Sequence, residues 1–324
     1  MKFNLPSLRA LFDPNMYHGW GRTHSYFEGW YYKIADPSEE FLFAVIPGIA
    51  MDEKGNQHAF IQVLDGKNQT AQYHRFDIKD FHPNEQKFEI ALAGNFFSDQ
   101  KIVLDLPTIK GELKILHPYP WPKMLGAPGI MGWYSFVPGM QCYHGLVSMH
   151  HELRGTLAID NQFVSFDKGL GYIEKDWGRS FPSSWIWLQA NHFDHSERVS
   201  IFTSVARIPW MGSHFVGHIA GLLIGDRLYR FATYTGAKMT VKLDGDLVYL
   251  VLKNRKQRLE ITAQQAPGVS LQSPIAGQMT GKVNESIRAT VEIKFYEKEQ
   301  LIFSGIGRNA GLEVAGPVEE LLEE

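Results

Sequence analysis

Residues 169–191 read GLGYIEKDWGRSFPSSWIWLQAN, and the period of this stretch decides the fold. Successive side chains of a strand point to opposite faces, so Tyr172, Glu174 and Asp176 share one face while Ile173, Lys175 and Trp177 take the other. After a Gly-Arg-Ser-Phe-Pro-Ser interruption the alternation resumes. Trp185, Trp187, Gln189 and Asn191 fall on one face and Ile186, Leu188 and Ala190 on the other. A helix would scatter both sets around its axis. Two strands joined by a turn keep them together, and the same grammar runs along the rest of the chain.

Short apolar or alternating runs recur between turn residues, among them YFEGWYYKIA, HAFIQVLDG, KFEIALAG, RVSIFTSVARI, MTVKLDG, LVYLVLKN and IRATVEIKFYEK. Pairs such as Asp65-Gly66, Asp160-Asn161 and Gly225-Asp226 punctuate them as tight turns do. Helical signals are scarce, so the expectation is an all-β protein of antiparallel barrels or sandwiches. Glu28-Gly29-Trp30 near the start echoes Asp176-Trp177-Gly178 near the middle. With 324 residues of short strands, two barrels accommodate the chain more comfortably than one.

Composition narrows the function classes. Hydrophobic residues make up 44%, charged residues 21% and aromatic residues 13%, as expected of a soluble globular protein rich in strands. A net charge of -3 without any Lys/Arg run argues against nucleic acid as a partner. The lone Cys142 excludes an intrachain disulfide framework and fits a reducing compartment, where it reads as a buried small residue rather than a nucleophile. No secretory signal is recognisable, and the apolar run at 215–225 is too short to span a bilayer. A cytoplasmic location, peripheral to a membrane at most, is the expectation. No metal motif, phosphate-binding glycine loop or Gly-x-Ser-x-Gly elbow appears, so neither a metal nor a cofactor is expected.

Three constellations could carry chemistry. Two carboxylates on one face of a strand, Glu174 and Asp176, cannot both ionise freely when buried, and that raises at least one pKa and supplies a carboxylic acid near neutrality. The bland alternative is a surface hairpin in which Lys175 and Arg179 neutralise them. The face with Trp185, Trp187, Gln189 and Asn191 suits a cavity lining, where aromatic rings stabilise a cation and amides orient a ligand oxygen; an ordinary aromatic core is the alternative. At the N-terminal side, Tyr26, Glu28, Trp30 and Tyr32 share a face. Glu28 among aromatics is either a structural anchor, the favoured reading, or part of the site. The 117–141 segment, HPYPWPKMLGAPGIMGWYSFVPGMQ, holds five prolines and many apolar residues, and reads as a lid over an apolar cavity or as a packed crossover.

YFEGWYYK, GYIEKDWGRSFPSSWIWLQANHF and GIGRNAGLEVAG, in that order, resemble the tocopherol cyclase family, whose wider relatives include carotenoid hydratases. The resemblance implies two consecutive lipocalin-like (calycin-type) antiparallel β-barrels, here divided as residues 1–178 and 179–324. It also implies cyclisation of a prenylated quinol to a chromanol by protonation of a double bond. On this sequence the catalytic residues would be Glu174, Asp176 and Tyr172, with Trp185, Trp187, Gln189, Asn191, Trp30 and Glu28 contacting substrate. The family pattern has Asn where this chain has Asp176. A lipophilic small molecule is then the partner. Two rival classes are a non-catalytic carrier of such a molecule and a glycosidase, whose paired carboxylates would face an open polar cleft.

Overall fold

The computed structural model describes residues 5–322. Apart from one helix, α1 (Leu5–Phe12), and four short 3-10 turns, every described element is a strand, in two antiparallel sheets. The chain falls into two compact units, one made of residues up to Phe181 together with Leu271–Lys282, the other of Pro182–Ser270 and Val283 onward. A stretch from late in the sequence thus belongs to the early unit. It is tied there by backbone and side-chain bonds: Gln272 N–H to Gln62 Oε1 at 2.8 Å and Gly277 N–H to the Arg179 carbonyl at 2.7 Å.

The strands of the first sheet are β1 (Tyr26–Ala35), β2 (Leu42–Met51), β3 (Gln57–Asp65), β4 (Thr70–Phe76), β5 (Phe81–Pro83), β6 (Glu89–Leu92), β7 (Asn95–Ser98), β8 (Lys101–Asp105), β9 (Ile109–Leu116), β10 (Cys142–Ile159), β11 (Gln162–Ser165) and β12 (Leu170–Gly178). Their order is β4-β3-β2-β1-β12-β10-β9-β8-β7-β6-β5, with β11 on β10. Nearly every neighbour in space is a neighbour in sequence. The exception is β12, which slots between β1 and β10. Its register sets Glu174 opposite Tyr31 on one side and opposite Leu146 on the other, and Asp176 opposite His144. Two register shifts in β10, between Leu146 and Ser148 and between Ser148 and His151, re-aim its side chains along this pairing.

Alternation then decides what is core. Trp30, Tyr32 and Ile34 of β1 join Ile173 and Trp177 of β12 in the packed interior of the first unit, with Phe43, Val45, Phe97 and Leu157 among its other members. Gly145 lies opposite Lys175 in a tight spot: a Cβ there would sit 3.2 Å from the Trp177 ring and 3.4 Å from Pro14, so those neighbours would have to give slightly.

The second sheet comprises β13 (Trp185–Ala190), β14 (His192–Phe193), β15 (Val199–Trp210), β16 (Ser213–Ile224), β17 (Arg227–Ala232), β18 (Lys238–Asp244), β19 (Leu247–Lys253), β20 (Gln257–Gln264), β21 (Val269–Ile275), β22 (Gln278–Glu297) and β23 (Gln300–Ala315). Its main path is β17-β16-β15-β13-β23-β22-β20-β19-β18. Ile186, Leu188 and Ala190 of β13 enter the core of this unit beside Ile201, Leu222, Phe295 and Leu312.

The 117–141 segment adopts no regular structure beyond the 3-10 turn at Gly132–Phe136 and a bridge between Met124 and Ala127. It is packed on one side and open on the other. Trp121, Ile130, Met131 and Met140 are buried, while Met124, Leu125 and Trp133 are exposed.

A candidate proton-relay site on one face of the central strand

Both faces of β12 carry ionisable groups, and each face has its own partners. On the face turned away from the core, the Tyr172 hydroxyl donates to Glu174 Oε2 at 2.5 Å. His144, brought across from β10, stands between the two carboxylates. Its Nδ1 lies 2.8 Å from Asp176 Oδ1 and its Nε2 3.7 Å from Glu174 Oε2. The backbone N–H of His144 donates to Met131 Sδ at 3.0 Å, which ties this part of β10 to the 117–141 segment. Tyr172 and Glu174 are buried, Asp176 and His144 partly so.

The electrostatics follow from that geometry. Burial alone would lower the pKa of His144, but Asp176, then Glu174, and the hydrogen bond to Asp176 more than offset it and raise it to about 8. The ring is therefore largely cationic at neutral pH. Tyr172 is held well above the ordinary phenol range, first by burial and then by the neighbouring Glu174. The Cys142 thiol, 3.8 Å from Asp176 Oδ1, is likewise raised by burial and by that carboxylate, so it stays protonated and unreactive.

The sequence reading placed the two carboxylates in direct repulsion, with Lys175 and Arg179 as the alternative neutralisers. Glu174 and Asp176 do share a face, with one oxygen of each and a His144 ring nitrogen within 4.8 Å of one another, but the two neutralisers are placed elsewhere. Arg179 pairs with Glu53 at 3.1 Å on the surface, and Lys175 turns to the opposite face. The counter-charge is His144. The sequence gives His144 no distinguishing signal, because it is one histidine among thirteen and lies 30 positions before Glu174. Only the paired alternation of β10 and β12 would have raised it.

On the core face, Lys175 Nζ lies 2.6 Å from Glu28 Oε1, and both side chains are fully buried. The ammonium also donates to the carbonyls of Pro14 and Met16 and, at 2.7 Å, to His18 Nδ1. It packs over the rings of Trp30 and Trp177 at 4.8 and 4.5 Å. Glu28 accepts the Tyr26 hydroxyl at 2.5 Å and the His18 backbone N–H at 2.9 and 3.0 Å from its two oxygens. Burial pulls Lys175 down to about 8 against the pull of Glu28, while Lys175 and His18 overcome burial to keep Glu28 below the usual carboxylate range. At neutral pH both remain charged, and together they clasp residues 14–18 onto the sheet. Trp30, whose Nε1 donates to the Asn15 carbonyl at 3.1 Å, belongs to the same clasp. Glu28 and Trp30 therefore sit on the other face of the sheet from Glu174, and the structure does not bring them together with it.

Trp185, Trp187, Gln189 and Asn191 belong to the second unit. They share the face of β13 opposite its aliphatic core side, and the Trp185 Nε1 donates to Glu313 Oε2 at 2.6 Å. In the second unit, then, the aliphatic face of β13 is the interior, whereas in the first the core face of β1 and β12 is itself largely aromatic and carries the Lys175–Glu28 pair. The expectation of a cavity lined from within a barrel is corrected accordingly: apolar side chains fill those interiors, because they gain most from leaving water.

Among the described residues, His144, Glu174 and Asp176 are the one group with nitrogen and oxygen atoms close enough, within 4.8 Å, to meet a metal ion. Here each ring nitrogen of the imidazole already faces one carboxylate, the geometry of a proton relay.

Comparison with known proteins agrees with the strand chemistry. Residues 105–316 match the family model described as tocopherol cyclase-like. A protein of Oryza sativa subsp. japonica named "Probable tocopherol cyclase, chloroplastic" is 22% identical over 96% of this chain and 80% of its own length. The chloroplastic tocopherol cyclase of Zea mays is 21% identical over 96% and 79%. Among solved structures, CghA in complex with Sch210972 superposes with a TM-score of 0.56 at 12% identity, covering 90% of this chain and 88% of that one. The match to the family model spans more than half of the sequence and contains both β12 and β13, and the chain belongs to the tocopherol cyclase-like family.

Proposed function

We propose that the protein closes a prenylated quinol, or a similar phenolic isoprenoid, to a chromanol-type ring by acid-initiated cyclisation, with Glu174 as proton donor. Membership of the family makes it an enzyme of the cyclase type. The observation that carries the finer reading is the series Tyr172–Glu174–His144–Asp176 on one face of β12 and β10, hydrogen-bonded at its two ends and joined in the middle by the 3.7 Å approach of His144 Nε2 to Glu174 Oε2.

The reaction needs a proton delivered to a trisubstituted alkene and a proton taken back from the phenol, with no net redox change. The Glu174 carboxyl gives its proton to the less substituted alkene carbon, leaving a tertiary cation. The phenolic oxygen attacks that cation, forming the C–O bond, and its proton leaves to the relay. His144 moves the proton between Glu174 and Asp176, so donor and acceptor are restored after each turnover. Tyr172 fixes the Glu174 carboxyl in orientation and, staying protonated, never competes as a base.

The test is incubation of purified protein with a prenylated hydroquinone in detergent, with chromanol formation followed by chromatography and deuterium incorporation read from D2O. Ring closure with one deuterium on the prenyl-derived carbon is expected. Binding of the quinol without any conversion would instead make the protein a carrier.

A further inference from the structure

In the first unit, α1 is built inside out. Its stripe at i, i+3 and i+7, Leu5, Leu8 and Phe12, points to solvent, and Phe12 is 58% exposed, while Ala10 alone is buried. Beside it lies the 121–136 strap. The Phe12 and Phe136 rings are 5.7 Å apart, Asp13 pairs with Lys123 at 2.9 Å, and Gly129 packs on Pro14 so closely that a Cβ would overlap it. The strap adds Met124, a fully exposed Leu125 and a half-exposed Trp133 stacked on Tyr134 at 4.0 Å. Among the described residues of this unit only Phe163 and Ile275 are other large apolar side chains left so open.

The charges around this patch differ from those of the whole. The chain carries a net charge of -3, yet residues 5–12 contain one charged residue, Arg9, and residues 118–140 one, Lys123; neither segment holds an acid. With Lys123 paired to Asp13, the exposed Arg9 supplies the remaining positive charge, and an apolar patch with a half-exposed tryptophan and one net positive charge is complementary to the surface of a bilayer that contains anionic lipid. No helix among the described residues is long and apolar enough to cross a membrane, so this contact lies on the surface. The strap also reaches the candidate site, because Met131, six residues beyond Leu125, holds the His144 backbone N–H through its sulfur.

We propose that α1 and the 121–136 strap form a peripheral docking surface for a lipid bilayer, from which an apolar substrate is taken up beside the Glu174–His144 relay. The uptake half rests on the function proposed above; the docking half does not.

The test is flotation of the purified protein with vesicles of phosphatidylcholine and phosphatidylglycerol, without substrate, comparing wild type with Leu8→Asp/Leu125→Asp. Both positions are exposed, so thermal unfolding should be unchanged, and turnover of a detergent-dispersed quinol should be unchanged too. Wild type is expected to float, and each lost leucine to lower partitioning by roughly tenfold. A wild type that stays in solution, or a double variant that floats equally well, overturns the proposal. So does a wild-type dimer that the double variant converts to monomer, since a second copy would then own the patch. Altered flotation in a protein that never converts quinol leaves docking standing and removes the cyclase reading instead.

Discussion

Glu174→Gln separates chemistry from structure at the proposed site. Gln keeps the size of Glu and an oxygen that can accept the Tyr172 hydroxyl, which donates to Oε2 at 2.5 Å in the native site. What is lost is the ionisable proton. A hydrogen bond to a charged acceptor contributes about 1.5–3 kcal/mol and a neutral one about 0.5–1.5, so that bond weakens by at most ~1 kcal/mol. The attraction to His144 at 3.7 Å is weaker, because Asp176 at 2.8 Å holds the ring more closely. A total cost of about 1–2 kcal/mol would leave a domain of ordinary stability, roughly 5–15 kcal/mol, folded at 25 °C. Removing a positioned general acid, in contrast, costs about 10²- to 10⁴-fold in rate. The assay pairs chromanol formation with thermal unfolding on the same preparation. The expected result is loss of turnover with retained quinol binding and a melting temperature lower by only a few degrees. A variant that is stable and turns over at the wild-type rate would remove Glu174 from the mechanism and point to Asp176.

Asp176→Asn should slow turnover less than Glu174→Gln, because the proton donor is kept while Asn meets His144 Nδ1 without taking its proton, and it should lower the His144 pKa seen by NMR titration, since Asp176 is the larger carboxylate influence on that ring. His144 also makes stability depend on pH. Its folded pKa of about 8 lies above the ordinary 6.5, so its contribution is fully present below about pH 6.5 and lost as pH rises through 8; chemical denaturation should show His144→Asn costing ~2 kcal/mol more at pH 6 than at pH 9. Lys175→Met should destabilise by about 3–5 kcal/mol by stranding the buried Glu28, with residues 14–18 losing hydrogen-exchange protection first. In the double variant Lys175→Met/Glu28→Gln much of that loss should be recovered, which a denaturant titration would read directly.

The strand grammar was legible because period two leaves no ambiguity over 169–191: each residue type names its face, and the structure keeps Tyr172 with Glu174 and Asp176, and Trp185 with Trp187, Gln189 and Asn191. Which face is interior was not legible. β12 carries aromatic and ionisable groups on both sides, and only the whole sheet shows that Ile173 and Trp177 meet Val45, Phe97 and Leu157 inside. His144 was hidden for a different reason. Its meeting with Asp176 depends on β12 returning between β1 and β10 and on two register shifts in β10, and both are properties of pairing rather than of any local run. The assignment of Leu271–Lys282 to the first unit is equally non-local, since nothing in those residues names Gln62 and Arg179 as their partners.

The alternation of β12 also explains why the counter-charge of the acids is a histidine. Lys175 lies between Glu174 and Asp176 in sequence, yet the pleat sends it to the core, where Glu28 and the carbonyls of Pro14 and Met16 occupy it. The group that stands on the acid face is instead an imidazole, raised to a pKa of about 8 by the two carboxylates it faces. It is cationic often enough to let two carboxylates share one buried face, and it releases its proton readily enough to pass it between them. The acid that makes the cation in the proposed chemistry, Glu174, thus stands beside a group whose own charge can come and go. The lysine one residue away does the permanent work of pinning the strand that carries Glu174.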